Sequence, residues 1–165
     1  MDHVQFRAMK DGEAADYAFL TEHEVEYTKG TANRLLKALV GLDESLSGYQ
    51  VSRLGHSLQS ATRAERDGAD IDWIVSTLLH DIGDIFAPYN HDEYAATILR
   101  PFVREQCSWV VEKHGDFQMF IMANMWVPTQ TNAKTIADIS ILTTAQPFAN
   151  AGIKTALIHI MTADP

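Results

Sequence analysis

The stretch IDWIVSTLLHDIG, Ile71–Gly83, decides the fold. Its apolar residues are too dense for a surface helix and lack the strict alternation of a half-buried strand, so it reads as a central helix. Asp70 or Asp72 can cap its start. At its end His80 and Asp81 adjoin, two polar groups whose burial must be compensated. A purely structural role for this pair is the weaker reading.

The periodicity on both sides is helical as well. Upstream, a helix from about Glu13 to Thr28 closes at Gly30, and Thr31 can cap a second with Leu35, Leu36, Leu39 and Val40 on one stripe. A third helix, from about Val51 to Asp67, places Leu54, Leu58 and Ala61 inward and ends at Gly68. Downstream, Asn90 can cap HDEYAATILR, which Pro101 stops, and FVREQCSWVVEKHG runs to Gly115. Asp11-Gly12 and Asp67-Gly68 sit at helix ends rather than between alternating strands, so they are not hairpin turns. The expected architecture is an all-α helical bundle.

The 165 residues suffice for one compact domain, and 46% hydrophobic with 21% charged residues is a globular composition. Lys+Arg 13 against Asp+Glu 22 gives a formal net charge of -9, which argues against nucleic acid or an anionic membrane as partner. A small-molecule substrate remains the expected partner. The single cysteine, Cys107, excludes an intrachain disulfide framework and points to a reducing cytoplasm. The opening MDHVQFRAMKDGEAADYAFL has neither the basic nor the apolar region of a signal peptide, and no run approaches a membrane span.

Four of the seven histidines lie at or near predicted helix ends: His56, His80, His91 and His114. Imidazoles and carboxylates converging from separate helices are how bundles build metal sites. Nitrogen and oxygen ligands without thiolate suit iron, manganese or another divalent ion better than structural zinc. Asp81, with two carboxylate oxygens, can bridge two ions. His3, His23 and His159 read as ordinary core or surface histidines.

Four blocks in order, GHSLQSATRA, LLHDIGD, HDEYAATIL and VVEKHGDFQ, resemble the HD-domain superfamily of metal-dependent proteins. The nearest likeness is to the predicted HD phosphohydrolase branch, which includes the mixed-valence diiron oxygenases that cleave the carbon–phosphorus bond of hydroxylated aminoalkylphosphonates. The resemblance spans about residues 1–120. It implies an HD-domain bundle in which His56, His80 and Asp81 hold one iron, and Asp81, His91 and His114 hold a second. Asp81 is then the catalytic bridge. Manganese or another divalent ion is the alternative cofactor, and a metal-dependent phosphohydrolase is the alternative activity.

The chain departs from that pattern at Gly55, where relatives often carry glutamate, and at Asp84, where the phosphonate oxygenase has a substrate-facing histidine. Asp84 and Gln118, one helical turn beyond His114, are therefore the candidate substrate-binding residues. An acidic residue at position 84 would repel an anion and suit a substrate ammonium; a helix-end surface carboxylate is the alternative for Asp84. Arg53, Arg100 and Lys113 are candidate anion contacts, each read first as a solvated charge.

Composition shifts abruptly after Phe120: Lys134, Asp138, Lys154 and Asp164 are the only charged residues from Ile121 to Pro165. A buried helix pair is the bland reading. The family, however, carries a further metal-binding aspartate near its C-terminus, and neither Asp138 nor Asp164 has its context. If each codon takes the third base of one residue and the first two of the next, the steps from Phe148 to Ile158 permit the family's string C-E-R-W-D-Q-N-S-F-D without conflict. The missing aspartate would straddle Gly152 and Ile153. Residues 121–165 are thus expected to be an out-of-frame tail, not a separate domain, behind an HD core of residues 1–120. The enzyme would then be inactive as written, or a metal-binding HD remnant.

Overall fold

The computed structural model describes residues 2–126 of the chain, with side chains as far as Met119. Among them are helices and turns and no strand, so the fold is the all-α bundle expected of an HD domain. The chain divides into two units, Met1–Ala38 and Leu39–Pro165. Of the expected out-of-frame stretch, residues 121–126 continue a helix; the remainder, with Asp138, His159 and Asp164, lies outside the described residues. No helix among the described residues is long and apolar enough to cross a membrane.

The first unit holds helix α1 (Ala14–Lys29), whose start is fixed where the Asp16 carboxylate accepts the Glu13 backbone N–H at 3.0 Å. Thr31 is not a helix cap. It is the first residue of α2 (Thr31–Gly41), and its hydroxyl donates back to the Thr28 carbonyl, because α2 resumes directly after Gly30 with no extended residue between. Of the expected stripe Leu39 is buried, while Leu36 and Val40 are exposed.

The second unit contains the end of α2, a 3-10 turn at Leu42–Glu44, and helices α3 (Arg53–Arg66), α4 (Ile71–Leu79), α5 (His91–Leu99) and α6 (Glu105–Trp126). Helix α3 begins where the Ser52 hydroxyl accepts the Gly55 N–H and ends where Gly68, at φ +73°, lets Ala69 N–H reach back to the Ala64 carbonyl at 2.9 Å. Its buried face is Ser57, Ser60, Ala61 and Ala64, not the leucines: these small residues let α3 lie close to α4, and Leu58 is left on the open side. Asp70, rather than Asp72, caps α4 by accepting Trp73 N–H, and both carboxylates bind Arg104, tying the start of α6 to the start of α4.

Helices α5 and α6 pack on each other, and α6 also packs on α4. Leu79, Ile82, Ala95, Ala96, Leu99, Cys107, Val110 and Val111 form the apolar core between them. Helix α6 does not stop at Gly115 as the sequence suggests. A Cβ there would sit 2.8 Å from the Asp92 carboxylate, so the glycine serves close packing against the start of α5 and keeps helical dihedrals.

Candidate metal centre

Helix α4 ends one residue before His80, and the chain tightens through Asp81 into a 3-10 turn at Ile82–Ile85. That turn aims two consecutive side chains at one point and leaves both almost fully buried. His56 comes from the first turn of α3, His91 opens α5, and His114 lies mid-way along α6. The approach of α5 depends on Gly83, where a Cβ would lie 2.4 Å from the His91 carbonyl oxygen.

The five side chains form two groups that share Asp81. His56, His80 and Asp81 place ligand atoms within 4.8 Å of one another, and so do Asp81, His91 and His114. His56 Nε2 lies 3.1 Å from His80 Nε2, and His91 Nε2 lies 3.1 Å from His114 Nε2. Asp81 Oδ2 faces the first pair, 3.2 Å from His80 Nε2 and 3.8 Å from His56 Nε2. Asp81 Oδ1 faces the second, 3.4 Å from His114 Nε2 and 3.6 Å from His91 Nε2.

The donor chemistry fits a cation. His80 Nδ1 lies 2.7 Å from the Thr77 carbonyl and His114 Nδ1 lies 2.6 Å from the Val111 carbonyl. A carbonyl can only accept, so each Nδ1 carries the proton and, in the neutral ring, each Nε2 presents a lone pair. Those lone pairs converge on carboxylate oxygens and on further imidazoles in a buried space. Acceptors facing acceptors there require a metal ion or protons between them, and a backbone carbonyl on the distal nitrogen is a common support for a metal-binding histidine.

Charge has the same layout. Burial, then the neighbouring His80, pulls His56 down to about 4, so it is neutral at pH 7. Burial pushes Asp81 up, but His80 and His114 outweigh it and hold the carboxyl well below the usual range. For His114 burial acts downward and the Asp81 carboxylate overrides it, raising the imidazole.

The metal-free protein is expected to depend on pH as a result. Because His56 titrates near 4 in the folded chain and near 6.5 unfolded, the unfolded state binds more protons between those values, and stability is lost as pH falls. His114 acts in the opposite sense but at higher pH, since its stabilisation is complete below its unfolded value and fades as pH rises through its raised one. Asp84, raised by burial and by Asp81, opposes the loss at the acid end. Between pH 6 and pH 5 the chelator-treated protein is therefore expected to lose up to about 1 kcal/mol, read from its urea midpoint. A midpoint that is unchanged or higher at pH 5 contradicts this.

The structure also places the remaining candidates. Asp84 is not open to solvent as a surface carboxylate: its Oδ2 lies 2.9 Å from Arg53 Nε, and its Oδ1 3.6 Å from His91 Nδ1. The Arg53 contact is close but misaligned, so it is a charge contact and not a hydrogen bond. Gln118 is exposed on α6. Arg100 and Lys113 pair with Glu112 on the surface, whereas Arg53 sits at the centre. His23 is exposed on α1, and its Nδ1 meets the Phe19 carbonyl. Sequence reasoning missed Gly83 and the Thr77 and Val111 carbonyls. Only the position of these two carbonyls, three residues before each buried histidine, could have signalled them.

Residues 53–141 match the family model of the HD domain. The chain belongs to the HD-domain family. The matched stretch contains all five residues of the cluster and runs past Phe120, where the change of frame is expected. A search of curated proteins found no match. HD domains bind divalent metals, and membership indicates a metal-dependent function of hydrolase type, with a His/Asp cluster able to hold the metal.

Proposed function

We propose that this HD-domain chain is a dinuclear, non-haem diiron oxygenase acting on the carbon–phosphorus bond of a small hydroxylated organophosphonate. The observation that carries the reading is Asp81, set between two histidine pairs with one oxygen turned to each. His56, His80 and Asp81 would hold one ion, and Asp81, His91 and His114 the other. A mononuclear hydrolase has no need of the second pair. Iron in this setting supplies oxygen activation and redox chemistry. The protein's own part is to fix the imidazole tautomers through Thr77 and Val111, to keep Asp81 ionised, and to bury the centre. Manganese is the next candidate ion, and the cytoplasm the proposed location.

The second reading, a metal-dependent phosphohydrolase, is favoured by the family match itself. There the ions would lower the pKa of a bound water for attack on phosphorus. Under either reading the out-of-frame tail would deprive the first ion of the family's C-terminal aspartate, leaving a weak catalyst or a metal-binding remnant.

The test compares the chain with its frame-restored counterpart, both loaded with iron and given a hydroxylated aminoalkylphosphonate. Oxygen uptake with phosphate release is expected from the restored protein, and at least about 100-fold less from the chain as it stands, since even a supporting partner of a metal ligand is worth 10–100-fold. Phosphomonoester hydrolysis without oxygen would replace the oxygenase by the hydrolase. Iron binding without turnover in both proteins would leave the remnant.

A further inference from the structure

We propose that Arg53 receives a tetrahedral oxyanion of the substrate at this centre, with Asp84 as the residue that positions it. The proposal rests on the metal-centre reading above and assigns a binding role that the metal cluster by itself does not contain.

Arg53 is the first residue of α3, three positions before His56 and therefore on the same helical face. Its side chain is only 18% exposed. Nη1 donates to Asp81 Oδ2 at 3.3 Å, and among the described residues this is the one hydrogen bond its five N–H donors make. Nε is buried and finds no aligned acceptor, although Asp84 lies 2.9 Å away. The Tyr49 ring centroid lies 5.1 Å from the guanidinium carbon. Arg100, Arg104 and Lys113, basic groups of the same unit, meet exposed or half-exposed carboxylates instead.

The single hydrogen bond goes to the same oxygen that faces His56 and His80. A cation held by that group must share or take this oxygen, so filling the centre weakens the hold on Arg53. Asp84 then keeps the guanidinium in place through charge, and the Arg53 Nη groups have no other protein acceptor among the described residues. An arginine cannot shed its proton, and a largely buried cation beside one or two divalent ions is costly unless an anion joins them. Among the described residues, one carboxylate and four imidazoles do not neutralise two divalent ions, and Asp84 is engaged with Arg53, so the centre favours an anionic ligand. The planar fork of guanidinium matches two oxygens of a phosphate or phosphonate group. Asp84 accordingly acts on the substrate through Arg53, as a positioning residue.

The experiment titrates inorganic phosphate into the manganese-loaded full chain by calorimetry, with metal content measured on the same samples. Arg53→Met is expected to weaken phosphate binding about 10- to 100-fold at unchanged metal stoichiometry, the loss of a charge-assisted hydrogen-bonded pair. Arg53→Lys, which keeps the charge and loses the fork, is expected to lose about tenfold. Asp84→Asn is expected to weaken phosphate binding as well, and less so in an Arg53→Lys background. Phosphate affinity within twofold of the unaltered protein in Arg53→Met, with metal still bound, overturns the proposal and leaves the metal centre standing. Should Arg53→Met fail to fold or to hold metal, Arg53→Lys decides: a tenfold loss supports the role and an unchanged affinity overturns it. If the unaltered chain binds no manganese, the metal-centre reading fails and takes this inference with it.

Discussion

Asp81→Asn is expected to strip the protein of both metal ions at once, a larger effect than the loss of any single histidine. Each Asp81 oxygen serves a different histidine pair, so one substitution reaches both halves of the cluster. Asparagine keeps the shape, removes the charge and replaces one oxygen by an amide that donates. That amide would point N–H groups at Nε2 atoms or at the ion itself. Loss of a direct ligand exceeds the 10–100-fold typical of its supporting partners, and under the dinuclear proposal it would act on two ions. Metal analysis after desalting provides the measurement. Two equivalents retained by Asp81→Asn would show that the cluster is not the metal centre. His56→Ala makes the comparison, since it should empty one half only.

Gly83→Ala is expected to lower the melting temperature by roughly 5–10 °C and to remove about one of two bound ions, through a single methyl group. The added carbon would stand 2.4 Å from the His91 carbonyl oxygen and 2.6 Å from its Cα, so backbone and not a pliable side chain must move. Overpacking of this kind costs typically 1–3 kcal/mol, each of which shifts the transition of a domain this size by a few degrees. The displaced element is the start of α5, which carries His91. His56 and His80 are on the other side of Asp81 and should keep their ion. Thermal denaturation with metal analysis separates the two effects, and an unaltered melting temperature with two ions bound would refute the close approach.

Where the chain's punctuation is local, the sequence told the fold. Gly30, Asp70 and Gly68 bound their helices as expected, because capping is settled within a few residues. Gly115 misled, since its reason is a contact with Asp92, distant in sequence, and a glycine kept for close packing looks the same as one kept for a turn. Leu58 misled in the same way. The periodicity of α3 shows an apolar stripe, but α4 approaches along the serines and alanines beside it. At the centre, residue types and helix-end positions were enough to gather His56, His80, Asp81, His91 and His114. What no spacing could reveal was that Arg53 turns inward and engages Asp84. That depends on how α3 lies against the turn after α4, a fact of tertiary packing.

The two halves of the cluster have the same internal plan. Each contains one histidine sealed in the core and fastened to a carbonyl of its own helix, His80 to Thr77 and His114 to Val111. Each also contains one histidine nearer the surface, His56 at 16% and His91 at 20% exposed. The sealed rings, buried and tied to backbone carbonyls, would act as the fixed posts of each half, and the outer rings as its more accessible members. Among the described residues, a bound ion would have its readier approach past His56 on one side and past His91 on the other. Exchange on the two sides would then run at separate rates, each set by one imidazole.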